Sequence, residues 1–344
     1  MLSGVWQRCL LLLIAVFLLN SATALGKQSL KSKPKTPKLQ CVQAMVHIPA
    51  GTFWMGTDDS AFPDAQPLHR VRLKAFWIDQ TEVTNEQFNR FVDATGYITV
   101  AERQPEPKDY PGTPVAQLVP GSLVFAPPAD ARNFDNAYAW WSDVPGACWH
   151  KPEGAGTSLE NRWNHPVVHV TFEDAAAYAK WAGKRLPTEA EFEYASRGGL
   201  DRQKFSWGSE LCPEGKHQSN LWQGKFPVLN TKADGFVGTA PVRSFAPNRW
   251  GLYDTTGNVW EWCSDWYRPD YYKSLSPLTF NPKGPDEDAA ALNQGALKKV
   301  QKGGSFLCTD QYCARYVVGS RGKSEYRSPH CHAGFRCVSD QRPR

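Results

Sequence analysis

Apolar positions in this chain fall into short segments of two periods. Val46, Ile48 and Phe53 alternate with other residues around Pro49-Ala50-Gly51, which predicts a hairpin. Val71, Leu73 and Ala75, then Phe76-Trp77-Ile78, predict a second strand region. The period then changes. Thr84-Asn85-Glu86-Gln87 reads as a capping box ahead of Phe88, Phe91 and Val92 on one helical face, with Gly96 as the stop. A second helix runs from Thr171 through Ala175, Tyr178 and Trp181 to Gly183. A third opens on the box Thr188 to Glu191 and closes at Gly198-Gly199, with Pro187 breaking the chain before it.

Residues 98 to 165 have no clear period, yet they hold Trp140, Trp141, Trp149 and Trp163. Long irregular stretches in compact domains are functional or disordered, and this many aromatics argue for order. Trp140, Trp141 and Trp149 are therefore expected to line a groove for an extended peptide.

Composition sharpens this picture. The chain has 344 residues with 14 Trp, 27 Gly and 26 Pro, which favours a loop-rich α+β domain over a helix bundle. Much of the net charge of +5 comes from Lys27, Lys31, Lys33, Lys35 and Lys38, so it does not argue for nucleic-acid binding. Residues 1–25 read as a signal peptide: Arg8, the apolar run Leu10 to Leu19, and the small-x-small site Ala22-Thr23-Ala24. That run is too short to span a bilayer, so an exported protein with no membrane span is expected. Residues 26–40 read as a basic disordered linker, and 41–344 as one domain. Export permits disulfides, but the spacing of Cys41, Cys148, Cys212, Cys263, Cys331 and Cys337 assigns no pairing.

The remaining cysteines carry the candidate chemistry. Cys308 and Cys313 lie five apart behind Gly303-Gly304-Ser305, in an aromatic and basic setting. The spacing is neither a zinc knuckle nor a thioredoxin-type pair. It suits a local structural disulfide, or a pair of soft thiolates for Cu(I). Two further stretches, Asn220 to Phe236 and Asp254 to Glu261, combine oxygen ligands with glycine turns, as calcium loops and ordinary turns both do. His165 and His169 flank a strand-like Pro-Val-Val, which favours core or turn histidines over a zinc pair. His330 and His332 are expected in a solvated loop. Serine-hydrolase, zincin, phosphate-loop and dinucleotide motifs are absent from the sequence.

Together these segments resemble the formylglycine-generating enzyme family, also called sulfatase-modifying factors. The resemblance covers residues 43 to 338. It rests on Gly51-Thr52-Phe53-Trp54-Met55-Gly56, Glu82-Val83-Thr84-Asn85, Ala182 to Glu191, Gly257-Asn258-Val259-Trp260-Glu261-Trp262 and Gly334-Phe335-Arg336-Cys337. It implies a C-type-lectin-like core. Cys308, Cys313 and Ser305 match the family's catalytic positions, with Cu(I) held by the two thiolates. Dioxygen would oxidise a cysteine in a C-x-P-x-R segment of an unfolded sulfatase to Cα-formylglycine. Trp260, Arg315 and Arg321 would line or support that pocket. The resemblance also implies two calcium ions. Asn220, Leu221, Asp234 and Phe236 would hold one, and Asp254, Gly257, Val259 and Glu261 the other.

Compared with the animal enzymes of the family, Thr309 stands where they have histidine, Val317-Val318 where they have a basic residue and cysteine, and Ala179 and Ser196 where they have disulfide-forming cysteines. The pattern is nearer the bacterial members, so the expected location is the periplasm or cell envelope, or the ER lumen if eukaryotic; a monomer is expected. The rival readings are a non-catalytic paralogue that binds sulfatases or other polypeptides, and a sulfoxide synthase. Cys308 and Cys313 argue against the first, and the lack of a separate histidine-rich helical domain against the second.

Overall fold

The computed structural model describes residues 44–109, 112–127, 137–291 and 296–342, all within one compact unit spanning Val42–Arg344. The signal peptide, the basic linker and Cys41 lie outside the described residues. In chain order, β1 (Met45–Ile48), β2 (Gly51–Met55), β3 (His69–Leu73) and β4 (Phe76–Asp79) precede α1 (Asn85–Thr95). After these come β5 (Gly121–Phe125), β6 (Trp141–Pro145), α2 (Phe172–Trp181) and α3 (Glu189–Arg197). Two short strands, β7 (Gly224–Lys225) and β8 (Leu229–Asn230), lead to β9 (Trp260–Trp266), β10 (Leu278–Phe280) and α4 (Glu287–Ala291). The chain ends with β11 (Lys298–Lys302), β12 (Gly322–Glu325), β13 (Ala333–Gly334) and β14 (Val338–Ser339). Among the described residues no helix is long and apolar enough to cross a membrane.

All three expected helices form, and a capping box not expected from the sequence opens the second as well. Thr84, Thr171 and Thr188 each accept a hydrogen bond from the backbone of the third helical residue, and the side-chain oxygen of that residue accepts one from the threonine amide. Such a cap contributes about 1 kcal/mol. Gly96 and Gly198 end α1 and α3 in the left-handed region, at φ 68° and 55°. Phe88 and Phe91 bury the apolar face of α1 against Tyr178 of α2.

The hairpin expected around Pro49-Ala50-Gly51 does not form. β1 pairs with β4, and β4 with β14, whereas β2 pairs with β3, which also takes β10. The chain crosses between two sheets here. A Cβ on Gly51 would stand 2.0 Å from the Tyr194 hydroxyl, so the backbone is pressed against α3 instead of turning back.

A third sheet runs β12-β11-β9-β13. Its register aligns Gly322 with Gln301, Lys302 with Glu261, and Ala333 with Trp260. The start of β9, the end of β11 and the starts of β12 and β13 therefore meet at one end of the sheet. That end carries the site.

Beneath it lies a charged core. Glu189, Glu193 and Arg197 repeat at four-residue spacing on α3 and are all buried. Glu193 pairs with Lys302 at 2.9 Å and Arg197 at 2.8 Å, and Glu189 pairs with Arg321 at 2.7 Å. The Lys302 amine also donates to the carbonyls of Val318 and Ser320. One ammonium thus ties the end of β11 to the far end of the loop that contains both cysteines. Removing either partner of such a pair costs about 3–5 kcal/mol, because the other charge stays buried.

Candidate active site

The loop leaves β11 through Gly303 and Gly304, at φ 94° and 79°. A Cβ at Gly304 would lie 2.8 Å from that of Tyr316, so the turn requires glycine both for its dihedrals and for its packing. Beyond the turn, the Cys308 amide donates to the Ser305 carbonyl and the Cys313 amide to the Thr309 carbonyl, at 2.8 and 2.9 Å. These two bonds fold the loop back so that the sulfurs of Cys308 and Cys313 approach to 3.5 Å. Both are free thiols, well beyond the roughly 2.05 Å of a disulfide bond.

The two sulfurs differ. Burial, then the neighbouring Cys313, pushes the Cys308 thiol well up. The Cys308 S–H donates to Cys313 and holds the Cys313 thiol below its ordinary value, helped by the Arg315 amide and charge against the cost of burial. The proton is thus retained on Cys308, and the pair titrates in two steps. The Ser305 amide points at the Cys308 sulfur at 3.3 Å.

Cys308 and Cys313 face a cavity of about 330 Å³, whose walls include Trp141, Trp260, Ser305, Tyr312, Arg321 and His332. Gly322 forms part of the wall because any Cβ there would strike the Trp260 ring. Residues 30–341 match the Sulfatase-modifying factor enzyme 1-like domain. The chain is 48% identical to the Formylglycine-generating enzyme of Thermomonospora curvata, over 89% of this chain and 97% of that one. The chain belongs to the formylglycine-generating enzyme family.

A second relative, the Formylglycine-generating enzyme of Streptomyces coelicolor, is 48% identical over 87% of this chain and 90% of that one. The family also reaches the mouse Inactive C-alpha-formylglycine-generating enzyme 2, 42% identical over 86% of this chain and 85% of its own length. In fold, the structure of PvdO from Pseudomonas aeruginosa superposes with a TM-score of 0.59 at 24% identity, covering 86% of this chain and 94% of that one.

Two arginines brace the thiol loop. Arg315 pairs with Asp64 at 2.9 Å and also donates to the Arg321 carbonyl. Burial opposes the Asp64 charge, but hydrogen bonds from Tyr267 and Arg315 and the charges of Arg315 and Arg321 outweigh it and keep this carboxyl below its usual range. Arg321 grips Glu189 through two nitrogens at 2.7 and 3.0 Å, between the rings of Tyr267 and Tyr272. Its charge is spent on Glu189, so it shapes the wall rather than offering a free cation.

The two oxygen-rich loops lie against each other and against the Gly-Gly turn. The Asn258 amide donates to the Asn220 carbonyl, Gly257 to Gly303, and Phe306 to Asn258, all at 2.9 Å. In the first loop, the Gln223 side-chain amide donates to both the Leu221 carbonyl and an Asp234 oxygen, so these two oxygens converge on one point. The amides of Leu221 and Phe236 also donate to Asp234. In the second loop, Glu261 is bound by Arg336 and shares its surroundings with Asp254 and Glu82. Burial first, with repulsion from Asp254 and against the pull of Arg336, pushes the Glu82 and Glu261 carboxyls upward, and burial takes Asp254 to about 6. Two buried carboxylates, Glu82 and Glu261, and the half-buried Asp254 thus surround one guanidinium.

The three groove tryptophans separate. Trp141 faces the cavity, whereas Trp140 and Trp149 are buried. Trp140 packs against Phe226 and Tyr312, and Trp149 against Phe88. A buried ring presents no surface to a peptide, so the last two are core residues.

His330 and His332 are likewise not in a solvated loop. Backbone pairing of His330 with Leu123 and of His332 with Trp260 draws the segment inward. The His332 Nδ1 lies 3.2 Å from the Ser305 hydroxyl, and its ring stands 4.7 Å from that of His330. Burial pushes the His332 pKa well down and takes His330 and His169 to about 3, so all three are neutral imidazoles. His165 and His169 occupy turn and core positions, with His169 held by the Ser122 hydroxyl at 2.7 Å. Sequence reasoning missed the Ser305–His332 contact; the short Ala333-Gly334 strand that sets it carries no visible period.

Proposed function

We propose that this protein is a copper-dependent oxidase that converts a cysteine in the C-x-P-x-R segment of an unfolded sulfatase to Cα-formylglycine. The observation that carries this reading is the pair of free thiols 3.5 Å apart on the wall of a cavity of about 330 Å³. Two soft sulfurs fit Cu(I), and Ser305 Oγ, a poorer donor, stands 4.0 Å from Cys308. When bound there, Cu(I) supplies an acceptor for the substrate thiolate and an electron donor to dioxygen.

The protein's own residues do the rest. Cys308 gives up its retained proton on loading, while the Ser305 amide supports the sulfur charge. Neutral His332 orients the Ser305 hydroxyl toward the reacting side of the cavity. Trp141 and Trp260 exclude water and hold the substrate backbone in place. Converting CH₂SH to CHO, with hydrogen sulfide and water leaving, withdraws two electrons from the substrate. Full reduction of dioxygen takes four, so an external reductant supplies two.

Two calcium ions complete the proposal. Asp234 with the Leu221 carbonyl, joined by Asn220 and the Phe236 carbonyl, would hold one, and the convergence of oxygens on the Gln223 amide supports that fit. Asp254 and Glu261 with the carbonyls of Gly257 and Val259 would hold the other, supported by the excess of buried carboxylate there. Their role is to stiffen the loops under Gly303 and Phe306. The partner is a sulfatase chain before it folds, met in an exported compartment: periplasm or cell envelope, or ER lumen. The test is incubation of the copper-loaded protein with a C-x-P-x-R peptide and mass analysis. Loss of mass equal to replacing CH₂SH by CHO is expected. Tight peptide binding with no mass change would instead favour a non-catalytic polypeptide binder.

A further inference from the structure

Away from the thiol loop, Glu102, Cys148 and His150 bring a carboxylate, a thiol and an imidazole together, with one ligand atom from each lying within 4.8 Å of the others. None of the three lines the main cavity. The Cys148 sulfur is 3.5 Å from His150 Nδ1, and the same Nδ1 is 3.6 Å from Glu102 Oε1. A tetrahedral zinc ion separates a sulfur from a nitrogen ligand by about 3.6 Å, and a nitrogen from an oxygen by about 3.4 Å, given its usual bond lengths. Two edges of a tetrahedral face are therefore already near those spacings, and the third, from the thiol to the carboxylate, is within 4.8 Å.

The surroundings hold each ligand in place. Cys148 and Lys151 exchange two backbone hydrogen bonds, at 3.1 and 3.0 Å, which close the turn carrying Cys148 and His150. The other Glu102 oxygen accepts from the Thr99 amide at 3.1 Å and the Thr99 hydroxyl at 2.6 Å, leaving Oε1 directed at His150. Anchoring of a ligating carboxylate through its second oxygen is what metal sites use to fix ligand orientation. His150 and Glu102 are part-exposed, so an ion has a path in and water has access to a fourth position.

We propose that Glu102, Cys148 and His150 bind one divalent ion of the zinc class, fastening the Val100–Glu102 turn to the Cys148–Lys151 turn. The donor set selects the ion: one thiolate, one imidazole and one carboxylate suit zinc and exclude calcium and magnesium. This site stands apart from the thiol-pair reading, and either can fail without the other.

The experiment uses the full chain with Cys308→Ser and Cys313→Ser, calcium-saturated, so that the thiol loop and the oxygen loops are silent. Zinc is titrated against a chromogenic chelator, and cobalt(II) substitution reads thiolate-to-metal charge transfer. One ion per chain and a charge-transfer band are expected. Further Cys148→Ser should abolish the band, and His150→Ala or Glu102→Gln should weaken zinc binding about tenfold or more. Cys212→Ser, which removes a different thiol beside a histidine (3.7 Å from His217), should change neither. Circular dichroism monitors folding; if Cys148→Ser unfolds the chain, the part-exposed His150→Ala carries the test. A band that survives Cys148→Ser, a band lost with Cys212→Ser, or zinc binding unchanged in His150→Ala would overturn the assignment.

Discussion

Trp140→Ala and Trp141→Ala make the sharpest internal contrast, because adjacent residues face opposite environments. Trp140 has 0% of its surface exposed and packs with Phe226 and Tyr312, in the same apolar cluster as Phe306 and Leu307 of the thiol loop. A tryptophan buries about 150–250 Å², which at about 25 cal/mol per Å² corresponds to about 4–6 kcal/mol. Truncations of buried Phe and Trp cost about 3–5 kcal/mol, so about 4 kcal/mol is the expected loss for Trp140→Ala. Tyr312 leans on Trp140 at 5.1 Å and lines the cavity, so Cu(I) affinity should fall as well. Trp141 is only partly buried and contributes one face of the cavity. Its removal should cost under about 1.5 kcal/mol of stability while raising KM for the peptide up to about tenfold, the value of one aromatic contact. Urea denaturation and steady-state kinetics read both effects. Equal destabilisation by the two changes, or a Trp140→Ala protein within about 1 kcal/mol of the parent, would refute the division into core and wall.

Calcium should raise the melting temperature of the parent, by about 2.7 kcal/mol of stability per site at a hundredfold excess over Kd, and Asp234→Ala should remove one site's share. A melting temperature indifferent to chelation in the parent would count against both loops. Gly304→Ala should destabilise the fold and separate the two sulfurs, because Tyr316 occupies the space its Cβ needs; unaltered Cu(I) affinity would contradict this. His169 and His330, held near 3 in the fold by burial, return to about 6.5 on unfolding. A base whose folded pKa is lowered loses stability as pH falls below the unfolded value, so each should cost about 1.4 kcal/mol between pH 7.5 and 5.5. His330→Gln should flatten that dependence in pH-resolved denaturation, and an unchanged slope would refute it.

Helix boundaries and the Gly-Gly-Ser loop were legible because their determinants are local: a cap, a left-handed glycine, a five-residue spacing. The loop-rich α+β class followed from composition for the same reason. Strand partners were not legible, since β1 and β2 pair with β4 and β3 rather than with each other, and β4 takes its second neighbour, β14, from the far end of the chain, as in Ile78 with Val338. The charged core was hidden as well. Nothing local in the sequence marks Glu189, Glu193 and Arg197 as buried, and Lys302 and Arg321, from distant parts of the chain, make that burial tolerable. The same long-range pairing pulled His330 and His332 out of solvent. Trp140 and Trp149 looked alike to Trp141 in the sequence because aromatic content marks order without telling wall from core.

The most direct test of the central claim compares Cu(I) affinity and peptide oxidation in the parent, Cys308→Ser and Cys313→Ser. Oxygen is a poor ligand for a soft ion, so each single change should sharply lower Cu(I) affinity and abolish the mass loss on a C-x-P-x-R peptide while the protein stays folded. Full peptide oxidation by either folded variant would contradict the assignment of the thiol pair as the reaction centre.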